Sequence, residues 1–284
     1  MVILTGKPLL FICLNFIYVI NVLIKAQQPE FLYHICPNAT TYTPNSSYAR
    51  NLNATLSSLS STNSGYGFFN SSEGQGPDTA NAISLCRVDV EPGMCQTCLN
   101  DSIVRLRQSC PNQREAIIYY DICLLRYSNA TILGNNDMDR DVVYLWNVNN
   151  ASNKEQFIWD LRPLLNKLSG EAAAGDSLLK FAMDNTTGPD FVTIYGLAQC
   201  VPYLSEQQCS TCLDRAIAQV PYCCVMKVGG RVLTASCNIR YEIYPFTSNT
   251  SLIPPPPSPP SPPPSPQRSP PVPQTPGMYV CCNS

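Results

Sequence analysis

The sequence predicts an α+β protein made of two tandem copies of one disulfide-stapled unit, each with two helices packed against an antiparallel sheet. Three observations predict it. Cys86, Cys95, Cys98, Cys110 and Cys123 recur 114 residues later as Cys200, Cys209, Cys212, Cys224 and Cys237. Each copy carries an apolar stripe at helical spacing, Tyr48, Leu52, Leu56 and Leu59 in the first and Phe157, Leu161, Leu165 and Leu168 in the second. Each closes on two strand-like runs, Ala116–Tyr120 with Cys123–Tyr127, then Arg231–Ala235 with Cys237–Tyr244.

Residues 1–26 read as a signal peptide, with Lys7 before an apolar run from Leu9 to Ile24 and the small Ala26 at the cleavage position. The first domain follows over 27–130, a linker over 131–139, the second domain over 140–246 and a Pro/Ser-rich disordered tail over 247–284. Removing the leader takes away Cys13, leaving 14 of the 15 cysteines, and with Lys7 and Lys25 moves the net charge from −2 to −4. A mildly acidic chain has no basic stripe for nucleic acid. Nine N-x-Ser/Thr sequons, at Asn38, Asn45, Asn53, Asn70, Asn100, Asn129, Asn150, Asn185 and Asn249, point to a glycosylated, secreted surface. Asn100, two residues after Cys98 in a disulfide-pinned helix, is the weakest acceptor of the nine.

Within each unit a strand-like stretch follows the first helix, Tyr66 to Asn70 and Leu179 to Met183, and another leads into the cysteine cluster, Ala80–Cys86 and Phe191–Cys200. The second helix then carries the cluster. In the second copy Ser205 and Gln208 form a capping box at its start. Pro163, inside the Phe157–Leu168 stripe, predicts a kinked or shortened helix. The run Pro254 to Pro276 cannot form a core and reads as extended polyproline II. No apolar span of about 18 residues follows it.

Catalytic readings find little support. The mature chain has one histidine, His34, at the edge of the first unit, so a histidine-based triad has a single candidate base. Asp137, Asp139 and Asp141 fall in and beside the linker, where nothing sets them across a cleft. In an oxidising compartment Cys86, Cys95 and Cys98 belong to disulfides ahead of zinc. No metal and no cofactor is expected.

These residues resemble the ectodomain of plant cysteine-rich receptor-like kinases and cysteine-rich repeat secretory proteins, built of tandem ginkbilobin-homologous domains, also called salt-stress-response/antifungal domains. The resemblance rests on the two Cys-x8-Cys-x2-Cys clusters, on Glu115 to Asn129 around Cys123, and on Gly229 to Leu233 with Cys237 to Glu242. It implies two helices on a five-stranded antiparallel sheet in each unit. It implies the bridges Cys36–Cys110, Cys86–Cys95 and Cys98–Cys123, with Cys200–Cys209 and Cys212–Cys237 in the second copy. There the position matching Cys36 falls near Asn150, so Cys224 lacks its partner, and Cys223 beside it predicts either a vicinal disulfide or free thiols. In such receptors a Pro-rich spacer leads to a membrane helix and a kinase. Neither is in this sequence, which reads as a secreted relative or, preferably, as a product truncated near Gly277.

The resemblance also implies a mannose-type site: an Asn after the first cysteine, an Arg in the Gly-x-Arg strand and a Glu in the last strand. The Arg maps to Arg231 and the Glu to Glu242; the Asn falls near Asn150 or Ala151. The first copy has Pro37, Ile117 and Ser128 at these places. The alternative reading of Arg231 and Glu242 is a cross-strand ion pair. The expectation is an apoplastic, non-enzymatic recognition module of the stress and defence type that binds a mannose-like glycan or small ligand. The alternative is a protein-interaction module or soluble decoy that pairs with receptor-like kinases.

Overall fold

The computed structural model describes residues 28–37, 40–134, 142–224 and 226–247. The leader, Asn38, Asp137, Asp139, Asp141, Asn249 and the Pro/Ser run lie outside them. Four helices form where the stripes fall. Helix α1 (Ser47–Leu59) is capped by the Ser46 side chain, which accepts from the Ala49 amide, and buries Tyr48, Leu52, Leu56 and Leu59. Helix α2 (Pro92–Ser109) opens on a proline, whose missing N–H costs nothing in a first turn, and buries Cys95, Cys98, Leu99 and Leu106. Helix α3 (Lys154–Ala173) starts at Asn153, and helix α4 (Glu206–Cys223) starts at the Ser205–Gln208 capping box. Pro163 does not shorten α3, which runs 20 residues through it. Pro163 is exposed, while Leu161, Leu164, Leu165 and Leu168 are buried on the inner face. Burial of that face outweighs the one backbone bond that proline removes.

The first repeat holds β1 (Phe31–Ile35), β2 (Asn63–Gly65), β3 (Phe68–Glu73), β4 (Ala80–Cys86), β5 (Ala116–Tyr120) and β6 (Cys123–Ser128), in the sheet order β1-β5-β6-β4-β3-β2. The second holds β7 (Val143–Trp146), β8 (Phe181–Thr187), β9 (Thr193–Cys200), β10 (Gly230–Leu233) and β11 (Cys237–Glu242), in the order β7-β10-β11-β9-β8. All pairs are antiparallel, and five strand positions correspond between the repeats. The first sheet adds the three-residue β2 at its edge.

Where strands begin differently from expectation, turn chemistry decides. β3 starts at Phe68 because Tyr66 and Gly67 take positive φ (44° and 77°) in the hairpin turn. A Cβ on Gly67 would also sit 2.9 Å from Cys86 Cβ. Asp176 Oδ1 accepts from the Leu178 and Leu179 amides and holds them off the ladder, so β8 starts at Phe181. β9 starts at Thr193 because Asp190 and Phe191 occupy the left-handed region.

Each sheet is buried on both faces. In the first, Ala82, Cys86, Ile118, Tyr120, Leu125 and Tyr127 share a core with α1 and α2. Their alternates Phe68, Ile83, Leu85, Ile117, Tyr119 and Leu124 join the core of the second repeat. Across the seam stand Leu197, Gln199, Arg231, Leu233, Asn238 and Arg240. Gln199 Nε2 donates to the Cys86 carbonyl at 3.0 Å. The two repeats therefore meet sheet to sheet, with helices outermost.

Cys36–Cys110, Cys86–Cys95 and Cys98–Cys123 are bonded in the first repeat, and Cys200–Cys209 and Cys212–Cys237 in the second. Cys223 and Cys224 are bonded to each other. The place of Cys36 in the second repeat is not near Asn150. Ile35 lies opposite Ile117, and Leu145 lies opposite Arg231, so Trp146 occupies it. The offset is 110 residues at this strand and 114 from Cys86 onward, so the second copy holds four extra residues in between.

A bridge between adjacent residues closes almost no chain, so it removes little entropy from the unfolded state. Graded thiol treatment followed by alkylation and peptide mapping is expected to label Cys223 and Cys224 before the ten cysteines of the other five bridges. Replacing both with alanine is expected to cost about 1 kcal/mol, against about 3 kcal/mol for loss of Cys98–Cys123, which spans 25 residues.

Candidate functional site

Asp121 lies in the two-residue turn between β5 and β6 and is held there by its amide, which donates to the Glu30 carbonyl at 2.9 Å. Its carboxylate meets three guanidinium groups: Arg231 Nη1 at 2.6 Å, Arg240 Nη1 at 3.1 Å and Arg87 Nη1 at 3.4 Å. Two of these come from the second repeat. Arg87 also forks onto Asp89 at 2.5 and 3.0 Å, and Arg240 Nε lies 3.8 Å from Glu242 Oε1. Three cations thus face three carboxylates. Phe246 covers the cluster. Its carbonyl accepts from Arg87 Nη2 at 3.0 Å, and its ring lies 4.0 Å from the Arg240 guanidinium. Burial alone would raise the pKa of Asp121, but Arg231, then Arg240 and Arg87, outweigh it and hold the carboxyl below the usual carboxylate range.

Beside this cluster a cleft of about 260 Å³ is lined by Leu32 of the first repeat and by Leu145, Trp146, Asn147, Gly230, Arg231, Glu242 and Tyr244 of the second. Strand alternation on β10 and β11 puts Arg231, Arg240 and Glu242 on one sheet face. Asn147 Nδ2 donates to Glu242 Oε2 at 3.4 Å. A Cβ at Gly229 would lie 1.8 Å from Glu242 Oε2, so any other residue there would displace the Glu242 carboxylate. Trp146 and Tyr244 are about half exposed, so the cleft pairs wet aromatic surface with a donor, an acceptor and an amide.

The structure brings Arg231 and Glu242 to one cleft but not as a mutual cross-strand pair. Arg231 sits opposite Arg240, its ion partner is Asp121, and the ion partner of Glu242 is Arg240. The amide that lines this cleft is Asn147, the residue after Trp146, and not Asn150. The constant cysteine offset hid it, and only strand register finds it. Asn150 stands outside the cleft lining, in an isolated bridge with Lys227. In the first repeat Ile117 is buried in the seam, and Arg126, the counterpart of Arg240, pairs with Glu115 at 2.8 Å. His34, Cys36 and Cys110 cluster within 4.8 Å, but the two sulfurs are bonded to each other and offer no thiolate.

The salt stress response/antifungal family matches residues 35–130 and again 146–244. The chain belongs to this family. It is 43% identical over 215 residues to an antimicrobial ginkbilobin-2-like protein of Castanea crenata, covering 76% of this chain and 88% of that protein. It is 38% identical to cysteine-rich repeat secretory protein 38 of Arabidopsis thaliana, over 84% of this chain and 94% of the relative. It is 42% identical over 243 residues to cysteine-rich receptor-like protein kinase 7 of the same plant, over 83% of this chain and 36% of the kinase. The chain therefore spans about a third of that receptor kinase's length. Among solved structures, the tandem DUF26 ectodomain of the Arabidopsis thaliana cysteine-rich receptor-like protein PDLP8 superposes with a TM-score of 0.65 at 23% identity, covering 76% of this chain and 98% of that one. The corresponding PDLP5 ectodomain gives 0.60 at 26% identity, covering 75% and 99%. The fold is the tandem DUF26 ectodomain fold.

On this salt stress response/antifungal scaffold, Asn45, Asn53, Asn100, Asn150 and Asn185 are exposed, and Asn70 and Asn129 are half-buried. Among the described residues no helix is long and apolar enough to cross a membrane. Because the Asp121 pKa is depressed in the fold, its contribution is complete above the unfolded carboxylate range near pH 4 and is lost as pH falls through the folded value. At pH 6, Asp121→Asn is expected to cost about 3 kcal/mol, since it takes from Arg231 its ion partner and leaves three close guanidiniums without the charge between them. Thermal unfolding of both proteins from pH 6 to pH 2 checks this. The gap should narrow as acid protonates Asp121; a gap constant with pH contradicts the assignment.

Proposed function

We propose that this chain is an extracellular recognition module of the plant stress and defence type, and that the cleft of its second repeat binds the end of a mannose-like glycan. One observation carries the reading: Asn147, Arg231 and Glu242 converge on a single cleft flanked by the half-exposed Trp146 and Tyr244. Arg supplies N–H donors, Glu accepts, and the amide does both, which is the complement that neighbouring sugar hydroxyls require. The charges of Arg231 and Glu242 balance, which favours a neutral sugar over an acidic one. The cleft is shallow and Glu242 is nearly buried, which favours a terminal sugar held weakly. The relatives named antimicrobial and secretory, the predicted signal peptide and six bridged cysteine pairs support an extracellular site of action.

A second reading keeps the module extracellular but makes it a protein-docking unit, including a decoy for receptor-like kinases. It rests on a separate feature, an apolar cleft of about 300 Å³ on α3 lined by Glu155, Ile158, Trp159, Arg162 and Pro163, with Trp159 77% exposed.

Glycan-array binding and titration calorimetry of the deglycosylated protein with mannose oligosaccharides separate the two. Arg231→Ala and Asn147→Ala are each expected to weaken binding about tenfold, through loss of one polar contact. Asn147→Ala leaves the Asp121 contacts in place, so its loss reports the sugar contact itself. Binding unchanged in both variants removes this site, and no binding by the wild type favours the docking reading.

A further inference from the structure

We propose that Asp121, which belongs to the first repeat, is a positioning residue for the glycan cleft of the second. The inference rests on the glycan reading above and says how that site is held. Asp121 Oδ1 contacts Arg231 Nη1 at 2.6 Å and Arg240 Nη1 at 3.1 Å. Arg240 Nε approaches Glu242 Oε1 at 3.8 Å, and Glu242 Oε2 accepts from Asn147 Nδ2 at 3.4 Å. One carboxylate is therefore linked to all three residues of the ligand set, directly to Arg231 and through Arg240 to Glu242 and Asn147. Arg231 and Arg240 stand opposite each other on neighbouring strands, where like charges repel. The negative charge of Asp121 between them is what allows both guanidiniums to stay on the cleft side.

The geometry makes the site composite. Leu32 of the first repeat lines the same cleft as Arg231 and Glu242. The first repeat carries Pro37, Ile117 and Ser128 at the positions corresponding to Asn147, Arg231 and Glu242, so it supplies a support and not a second copy of the site. The tight β5–β6 turn and the Asp121 amide bond to Glu30 keep that support rigid.

Gln199 provides the control. It crosses the seam through its bond to the Cys86 carbonyl at 3.0 Å and stands outside both the Asp121 contacts and the cleft lining. If Asp121 acts only by holding the repeats together, Gln199→Ala and Asp121→Asn should harm sugar binding alike. The positioning role predicts that Asp121→Asn weakens mannose-oligosaccharide affinity about tenfold while Gln199→Ala stays within about twofold of wild type, at matched temperatures below both unfolding midpoints. Equal losses, or wild-type affinity in Asp121→Asn, overturn it. Should the asparagine variant not fold, Asp121→Glu keeps the charge and displaces the carboxylate by one methylene. Its affinity is expected to fall several-fold with its thermal midpoint little changed, and an affinity equal to wild type overturns the proposal. Binding by the wild type with no Asp121 effect sinks this inference alone. No binding by the wild type sinks the glycan reading and this inference with it.

Discussion

A single carboxylate, Asp121, sits between three guanidiniums where the two sheets meet, and the arrangement of the molecule depends on it. The driving force for the seam is apolar: Phe68, Leu85, Tyr119 and Leu124 lose their contact with water against the second repeat. Apolar faces slide, however, and a flat sheet face offers several registers of nearly equal area. Asp121 must meet Arg231 and Arg240 across the seam, a match with only one good register, because a shift takes from Arg231 the carboxylate that pairs it. Burial provides the adhesion, and the ion cluster specifies the alignment.

The repeats have diverged in use while keeping one frame. In the first, Cys36–Cys110 locks the end of β1 to the end of α2, and the sheet face is sealed by Ile117. In the second, Trp146 replaces the cysteine, Cys224 turns to its neighbour Cys223, and the same edge of the sheet opens into a cleft. Without one long-range staple, the closed edge gives way to one where Asn147, Arg231 and Glu242 line an open cleft. The other two bridges, α4 and the capping box keep the rest of the second repeat in the shape of the first.

Much of this was legible in the residues because it is local or repeats. Cysteines in constant register, two helical stripes and the Ser205–Gln208 box each carry their own geometry. The run Ala116–Tyr120 reads as a strand, and the structure buries all five of its residues. What was hidden is non-local. Asp121 finds Arg231 and Arg240 more than 100 residues away, and no spacing in the chain announces that. Asn147 was missed because four inserted residues break the 114-residue offset before the first cysteine cluster, so only the β7–β10 register places it. Pro163 misled for the opposite reason: a local rule yielded to the buried leucines on the far side of the same helix.

Scanning calorimetry of the glycosylated, disulfide-intact protein tests the central claim most directly, that the seam makes two repeats one cooperative body. This account requires a single unfolding transition whose calorimetric and van't Hoff enthalpies agree. Two separable transitions, each with the enthalpy of about one repeat, would show that the units unfold independently and that the Asp121 cluster does not bind them together.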